Sequence, residues 1–276
     1  MKSGLEKLSN LNQRVIAGVI GASLVVFGLG YNEWSYFFLF LIICFATLKE
    51  FFEIIKVAGI KPNVSYGIIC SLFLYTIVFL VEKNLLENKW YFSICPVIFI
   101  LFLLELFQKN EKPFFNIAFT FLGIIYIGIP FALLHVCVFQ ESIYNFKIIL
   151  GILLLLWAND IGGYFAGRFL GKTKLFPRIS PKKTWEGSIG GAVLSLTTSI
   201  VLSFYFKDFN LISWIILSII IVVIGSYGDL VESLLKRGFQ IKDSSQIIPG
   251  HGGFLDRFDG LLLSIPFIAA YLKIFL

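Results

Sequence analysis

The chain has 276 residues, of which 58% are hydrophobic and 14% charged, with a formal net charge of +6. Soluble domains carry about 45–50% apolar and about 25% charged residues, so a water-soluble fold is excluded and the bilayer is the solvent to reason from. The cations are interspersed among apolar runs, which argues against a nucleic-acid partner, and Cys44, Cys70, Cys95 and Cys137 sit inside such runs without CxxC spacing, which argues against zinc or a disulfide framework and marks them as packing residues.

A spanning helix needs about 20 mostly apolar residues. Runs of that kind predict spans over 14–31, 35–54, 64–81, 90–107, 115–138, 147–166, 188–206, 210–228 and 257–275. The fold class is therefore all-α: a polytopic helical bundle of about nine transmembrane helices. Lys2, Lys7 and Arg14 precede the first run, which is read as a retained helix because apolar runs continue to the last residue. The eighth helix is expected to continue past the membrane through Lys236 and Arg237, and the ninth carries Asp259 in its first turn. With the N-terminus inside, 18 of the 23 lysines and arginines fall on that side, so the positive-inside rule predicts a cytoplasmic N-terminus. Residues 1–145 have brief polar connections and read as scaffold; residues 146–276 hold almost every candidate reactive group, within one membrane domain overall. Neither an inverted repeat nor a low-complexity segment is visible.

Four polar clusters stand out along the chain. At the end of the sixth span, Asp160, Gly163, Tyr164 and Gly167 share one helix face, and the glycines permit close approach by a second helix or a ligand. The plain alternative is a glycine-lined helix contact with Asp160 satisfied by a neighbouring donor. The next loop contains Arg178-Ile-Ser180-Pro181-Lys182-Lys183-Thr184-Trp-Glu-Gly187. Its cations could simply anchor helix ends at anionic headgroups. Ser180 before Pro181 also reads as an N-cap followed by a first-turn proline, which would make Lys182, Lys183 and Thr184 donors at a phosphate-binding helix N-terminus.

Where the eighth helix meets the cytoplasm, Asp229, Ser233 and Lys236 fall at i, i+4 and i+7 on one face, either a site or an ordinary stabilising pair with snorkelling cations. Entering the ninth span, Asp256 and Asp259 face the same way at a boundary where unpaired carboxylates would cost several kcal/mol, so a positive partner is required. Arg257 is one candidate but points elsewhere on the helix; a bound cation is the other. His251 stands alone in a Gly-rich turn, where a structural hydrogen bond is the commoner role than catalysis, and no Cys or second His accompanies it to suggest zinc.

The run Ser-Leu-Leu-Lys-Arg-Gly-Phe-Gln-Ile-Lys-Asp-Ser-Ser-Gln-Ile-Ile-Pro-Gly-His-Gly-Gly-Phe-Leu-Asp-Arg-Phe-Asp, from Ser233 to Asp259, resembles the signature of the phosphatidate cytidylyltransferases (CDP-diacylglycerol synthases) without departure. The likeness extends upstream to Asp160 through Arg168 and to the Ser-Pro-Lys-Lys-Thr-Trp-Glu-Gly run. It is close in the second half and only in outline in the first. It implies a nucleotidyltransferase that makes CDP-diacylglycerol and diphosphate from CTP and phosphatidate, with a divalent metal, in phospholipid biosynthesis. Asp229 and Asp256 are then expected to hold Mg2+, with a second, monovalent or divalent cation as a further expectation. Asp229, Asp256, Lys236, Arg237 and Asp259 form the expected catalytic set. Asp160, Ser180, Lys182, Lys183, Thr184, Ser233, His251 and Arg257 are the expected substrate contacts. Membrane lipids are the surroundings, a homodimer is implied by the resemblance alone, and the expected location is a bacterial plasma membrane with the site facing the cytoplasm. The residue types suit the reaction, because a triphosphate and a phosphate monoester repel one another and cations must offset that repulsion. The competing readings are a CTP-dependent transferase acting on another lipid, a cation-coupled transporter, and a catalytically silent scaffold.

Overall fold

The computed structural model describes residues 10–241 and 252–276. Among them, nine helices succeed one another: α1 (Asn10–Tyr31), α2 (Glu33–Val57), α3 (Val64–Glu82), α4 (Asn88–Leu106), α5 (Pro113–Val138), α6 (Phe146–Phe169), α7 (Trp185–Tyr205), α8 (Leu211–Gly238) and α9 (Leu255–Phe275). Each predicted span falls on one of them. Seven, α3 to α9, are long and apolar enough to cross a membrane; α1 and α2 fall outside that group, and α2 carries Lys49, Glu50, Glu53 and Lys56 in its second half. The chain is an all-α integral membrane protein. Helix α8 does run on through Lys236 and Arg237. Its polar end has the amphipathic character of a helix leaving the membrane, whereas its first half is uniformly apolar.

Two short hairpins interrupt the helical pattern: β1 (Phe139–Gln140) with β2 (Ile143–Tyr144), and β3 (Lys174–Phe176) with β4 (Ser180–Thr184), both antiparallel. Helices α5 and α8 each contain one π-helical turn, Ile124–Gly128 and Ile221–Gly225. Such turns insert a residue into the helical ladder and re-aim the rest of the helix, frequently at functional sites. The second lies four residues ahead of Asp229.

The described chain falls into two compact units. The first holds α1 to Val81, Leu85–Ile129 and the described part of Phe239–Arg257. Its core is aromatic: the Phe37 ring packs 4.5 Å from Phe79 and 5.3 Å from Tyr75, whose hydroxyl donates to the Phe37 carbonyl at 2.9 Å. The Phe52 ring fills the space left by two glycines; a Cβ at Gly67 or Gly123 would stand 2.5 or 2.6 Å from its Cζ. A buried polar knot ties α4 to α5, with Asn116 and Asn110 donating to Glu105 at 2.9 and 2.7 Å, and Asn116 in turn accepting from the Lys61 amide at 3.2 Å. Glu105 is 2% exposed, so these charge-assisted bonds replace the water it has lost.

The second unit holds Glu82–Asn84, Pro130–Gly238 and Phe258–Leu276. Trp214 is fully buried over Gly151, and its indole nitrogen donates to the Phe206 carbonyl at 3.1 Å. Ser195 of α7 links α6 and α8 by bonding the Leu155 carbonyl at 3.2 Å and the Ser218 hydroxyl at 3.0 Å. Of the four cysteines, three are buried as expected; Cys95 is exposed, on the face of α4 where Phe92, Phe99 and Leu103 are also exposed. Among the described residues it is therefore not a core packing residue, contrary to the expectation from its place in an apolar run.

Candidate active site

The site begins with the packing of α6 on α7. A Cβ at Gly162 would lie 2.5 Å from the Gly190 carbonyl oxygen, and one at Gly191 would lie 2.7 Å from both the backbone and side-chain oxygens of Asn159. Side chains have been removed so that two backbones can touch, the usual device where helices associate in lipid. Gly162 is thus spent on a helix contact, Gly163 and Gly167 beside it meet their neighbours only at ordinary distances of 3.4–3.7 Å, and Asp160 stands exposed at the edge.

That contact seats the loop between the helices. The sequence predicted an N-cap at Ser180 with Pro181 in the first turn, and the structure overturns this. Residues Ser180–Thr184 form strand β4, paired with β3 through Phe176–Ser180 and Lys174–Thr184. The helix starts at Trp185, with Thr184 as N-cap: its Oγ1 accepts from the Gly187 amide at 3.2 Å. Thr184 is 5% exposed and packs at Gly167 and Gly171, so the cap that burial selects lies four residues later than local pattern suggests. Glu186 closes the hairpin from behind by accepting from the Lys172 and Thr173 amides at 3.1 Å. Along this strand Pro181 and Lys182 are exposed, whereas Lys183 is half-buried and Thr184 buried.

Lys183 reaches α8. Its Nζ lies 2.7 Å from Asp229 Oδ2 and 3.1 Å from the Ser226 carbonyl oxygen, with 25% of the Lys183 side chain exposed against 46% for Asp229. Lys183 is thus the ion-pair partner of Asp229, and its charge also bears on Asp259. Ser226 comes directly after the second π-turn. Asn159 donates to the Ser226 hydroxyl at 3.4 Å, so α6, β4 and α8 converge on one residue.

Carboxylate oxygens of Asp229, Glu232 and Asp259 all lie within 4.8 Å of one another. Helix α9 approaches α8 closely here because Gly228 has no side chain; a Cβ there would meet the Asp259 carbonyl oxygen at 2.5 Å. Ser233 Oγ lies 3.4 Å from Asp229 Oδ1, consistent with their i, i+4 spacing. Lys236 pairs with Glu232 at 2.7 Å, and both are largely buried, at 13% and 2% side-chain exposure. Asp259 Oδ1 accepts from the Gly260 amide at 2.7 Å, and Asp229, Asp160 and Lys183 are the charged groups that bear on it. Glu232 was absent from the sequence-derived candidates. Its spacing of three from Asp229, which puts both carboxylates on one side of the helix, is the signal the sequence offers.

Asp256 stands one turn ahead of Asp259 on α9, as the sequence predicts, and is not among the three clustered carboxylates. Its Oδ2 accepts from the Gly253 amide at 2.9 Å. Gly252, at φ +84, lets the chain wrap this carboxylate, and a Cβ there would meet Oδ2 at 2.5 Å. Arg237 and Arg257 are exposed. His251 lies outside the described residues.

The clustered groups are hard oxygen donors bordered by ammonium groups, a set suited to a small divalent cation that also binds phosphate oxygens. The cytidylyltransferase family model matches residues 12–275. Proteins named phosphatidate cytidylyltransferase from Staphylococcus haemolyticus and Staphylococcus saprophyticus are 43% and 42% identical over 178 residues, 64% of this chain. The match spans 66% of those two relatives, just under two thirds of their length. A protein of the same name from Bacillus subtilis is 32% identical over 272 residues, 96% of this chain and 99% of the relative. The chain belongs to the cytidylyltransferase family.

Proposed function

We propose that this protein transfers the cytidylyl group of CTP to phosphatidate, yielding CDP-diacylglycerol and diphosphate. The observation that carries the reading is a cluster of three carboxylates flanked by Lys183 and Lys236 in a chain whose relatives are named for that reaction. A phosphate oxygen of phosphatidate attacks the α-phosphorus of CTP, the bond from that phosphorus to the α,β-bridging oxygen breaks, and diphosphate leaves. The attacking oxygen is already ionised near neutral pH, so no general base is needed. What must be overcome is repulsion between anions, and catalysis is largely positioning and charge neutralisation.

Mg2+ fits the donor set, with Asp229, Asp256, Asp259 and Glu232 as the residues that would hold it, directly or through water. Bound there, it supplies charge neutralisation to the triphosphate and the leaving diphosphate. The three clustered carboxylates exceed the one or two that a single Mg2+ usually takes, which supports a second cation. Lys183 and Lys236 sit close enough to the acids to hold phosphates at the same place. Lys182, Arg237 and Arg257 offer further cations at the exposed margin, and Ser180, Thr184 and Ser233 offer hydroxyls. Asp160 borders the nucleotide, and His251 keeps its assignment as a substrate contact.

The lysine and arginine distribution supports a site on the cytoplasmic side of a bacterial plasma membrane, where acyl chains stay in lipid while the headgroup meets CTP. Crossing of the membrane by α1 and α2 completes nine spans, residues 1–145 act chiefly as scaffold for 146–276, and a homodimer rests on the resemblance alone. The test is CTP-dependent conversion of phosphatidate by purified protein in liposomes, with Mg2+ or with chelator, beside Asp256→Asn. Product that requires both metal and Asp256 is the expected result. Well-folded wild type that makes no product from phosphatidate but uses another lipid phosphate, or carries cations without CTP turnover, would overturn the assignment.

A further inference from the structure

Helix α9 begins at Leu255. The residue before its first turn is Phe254, which has no side-chain acceptor, and Gly253 before it has no side chain. The first amides of a helix have no intrahelical partner and must be satisfied from elsewhere. Glu50, 205 residues earlier in the chain, does this: its Oε2 accepts from the Leu255 amide at 3.0 Å. Both residues are 0% exposed. A carboxylate at a helix N-terminus gains from the charge-assisted hydrogen bond and from the helix dipole together. A carboxylate buried this completely is costly to keep, so its place within α2 calls for a purpose beyond solubility or topology.

Leu255 is followed at once by Asp256 and, one turn later, by Asp259. Holding the Leu255 amide holds the start of the first turn, beside Asp256. The Gly252–Gly253 turn bonds to Asp256 from the same end. We propose that Glu50 is a positioning residue for Asp256: its buried carboxylate anchors the first turn of α9 and thereby sets where that acid stands. The role in turnover rests on the function proposed above; the anchoring itself does not.

The test uses the full chain in detergent. Hydrogen–deuterium exchange is followed in peptides spanning residues 252–260, and Mg2+ response is read as the rise in unfolding temperature with Mg2+ concentration, which needs no turnover. Glu50→Gln keeps size and a weaker acceptor; Glu50→Leu removes the acceptor. Exchange in the first turn of α9 should speed up about tenfold in Glu50→Gln and more in Glu50→Leu, with α3 peptides unchanged. The Mg2+ midpoint should rise severalfold and kcat should fall, while KM for phosphatidate stays near wild type. Should Glu50→Leu not fold, Glu50→Gln decides alone. Unchanged exchange in its α9 peptides would overturn the proposal, as would faster exchange with an unchanged Mg2+ midpoint and kcat, since the bond would then be structural only. A wild type that exchanges as expected but has neither turnover nor a Mg2+ response would overturn the proposed function, and the positioning role with it, while leaving the anchor intact.

Discussion

Replacing Gly162 by alanine adds one methyl group where α6 meets α7, and its effect can be worked out from the structure. The new Cβ would lie 2.5 Å from the Gly190 carbonyl oxygen and 2.9 Å from Leu194 Cβ. A comfortable C···O separation is about 3.3–3.6 Å, so the helices must part locally by nearly an ångström, against backbone that cannot swing aside. Overpacking of this kind costs about 1–3 kcal/mol. The gain in helix propensity from Gly to Ala, about 1 kcal/mol, works the other way. Gly163 is the internal control: a Cβ there meets only the Gly187 carbonyl oxygen at 3.7 Å, an ordinary contact, so Gly163→Ala takes the propensity gain without the clash. The two variants should therefore differ by about 1–3 kcal/mol, roughly 3–10 °C in unfolding temperature for a chain of this size. Both would be unfolded thermally in one detergent, with CTP turnover measured in parallel. Gly162→Ala should also lose activity, because α7 carries the strand that delivers Lys183. Equal stability of the two variants would refute the argument that this interface is set by backbone contact.

Other expected outcomes arise from the same geometry. Asp229→Asn should lower turnover by about 10²-fold or more while the protein still inserts and folds, measured as CDP-diacylglycerol formed per mole of monodisperse protein. Lys183→Met should leave Asp229 without its partner at 2.7 Å and lower turnover too; activity equal to wild type would show that the lysine only balances charge in the resting protein. Ser233→Ala should cost less than tenfold, since its contact with Asp229 is long, at 3.4 Å. Glu186→Ala removes the acceptor of the Lys172 and Thr173 amides, so exchange at those two amides should rise severalfold, with smaller effects in α7.

Hydropathy alone places the helices, because a segment that must satisfy its backbone in lipid has almost no alternative to being helical. The predicted spans and the helices coincide to within a few residues, and the extension of α8 past Arg237 was legible from its charges. So were Asp229 and Asp259, since carboxylates at a membrane boundary are costly enough to stand out in any apolar sequence. What the sequence could not determine was which groups meet. Ser180 before Pro181 satisfies every local rule for a helix cap, and it is a strand residue because pairing with β3 and the burial of Thr184 outweigh a cap worth about 1 kcal/mol. Lys183 and Asp229 are 46 positions apart and Glu50 and Leu255 are 205 apart, so no periodicity connects them. Each pairing is made where distant segments pack together within one compact unit, and that packing is something only the tertiary structure decides.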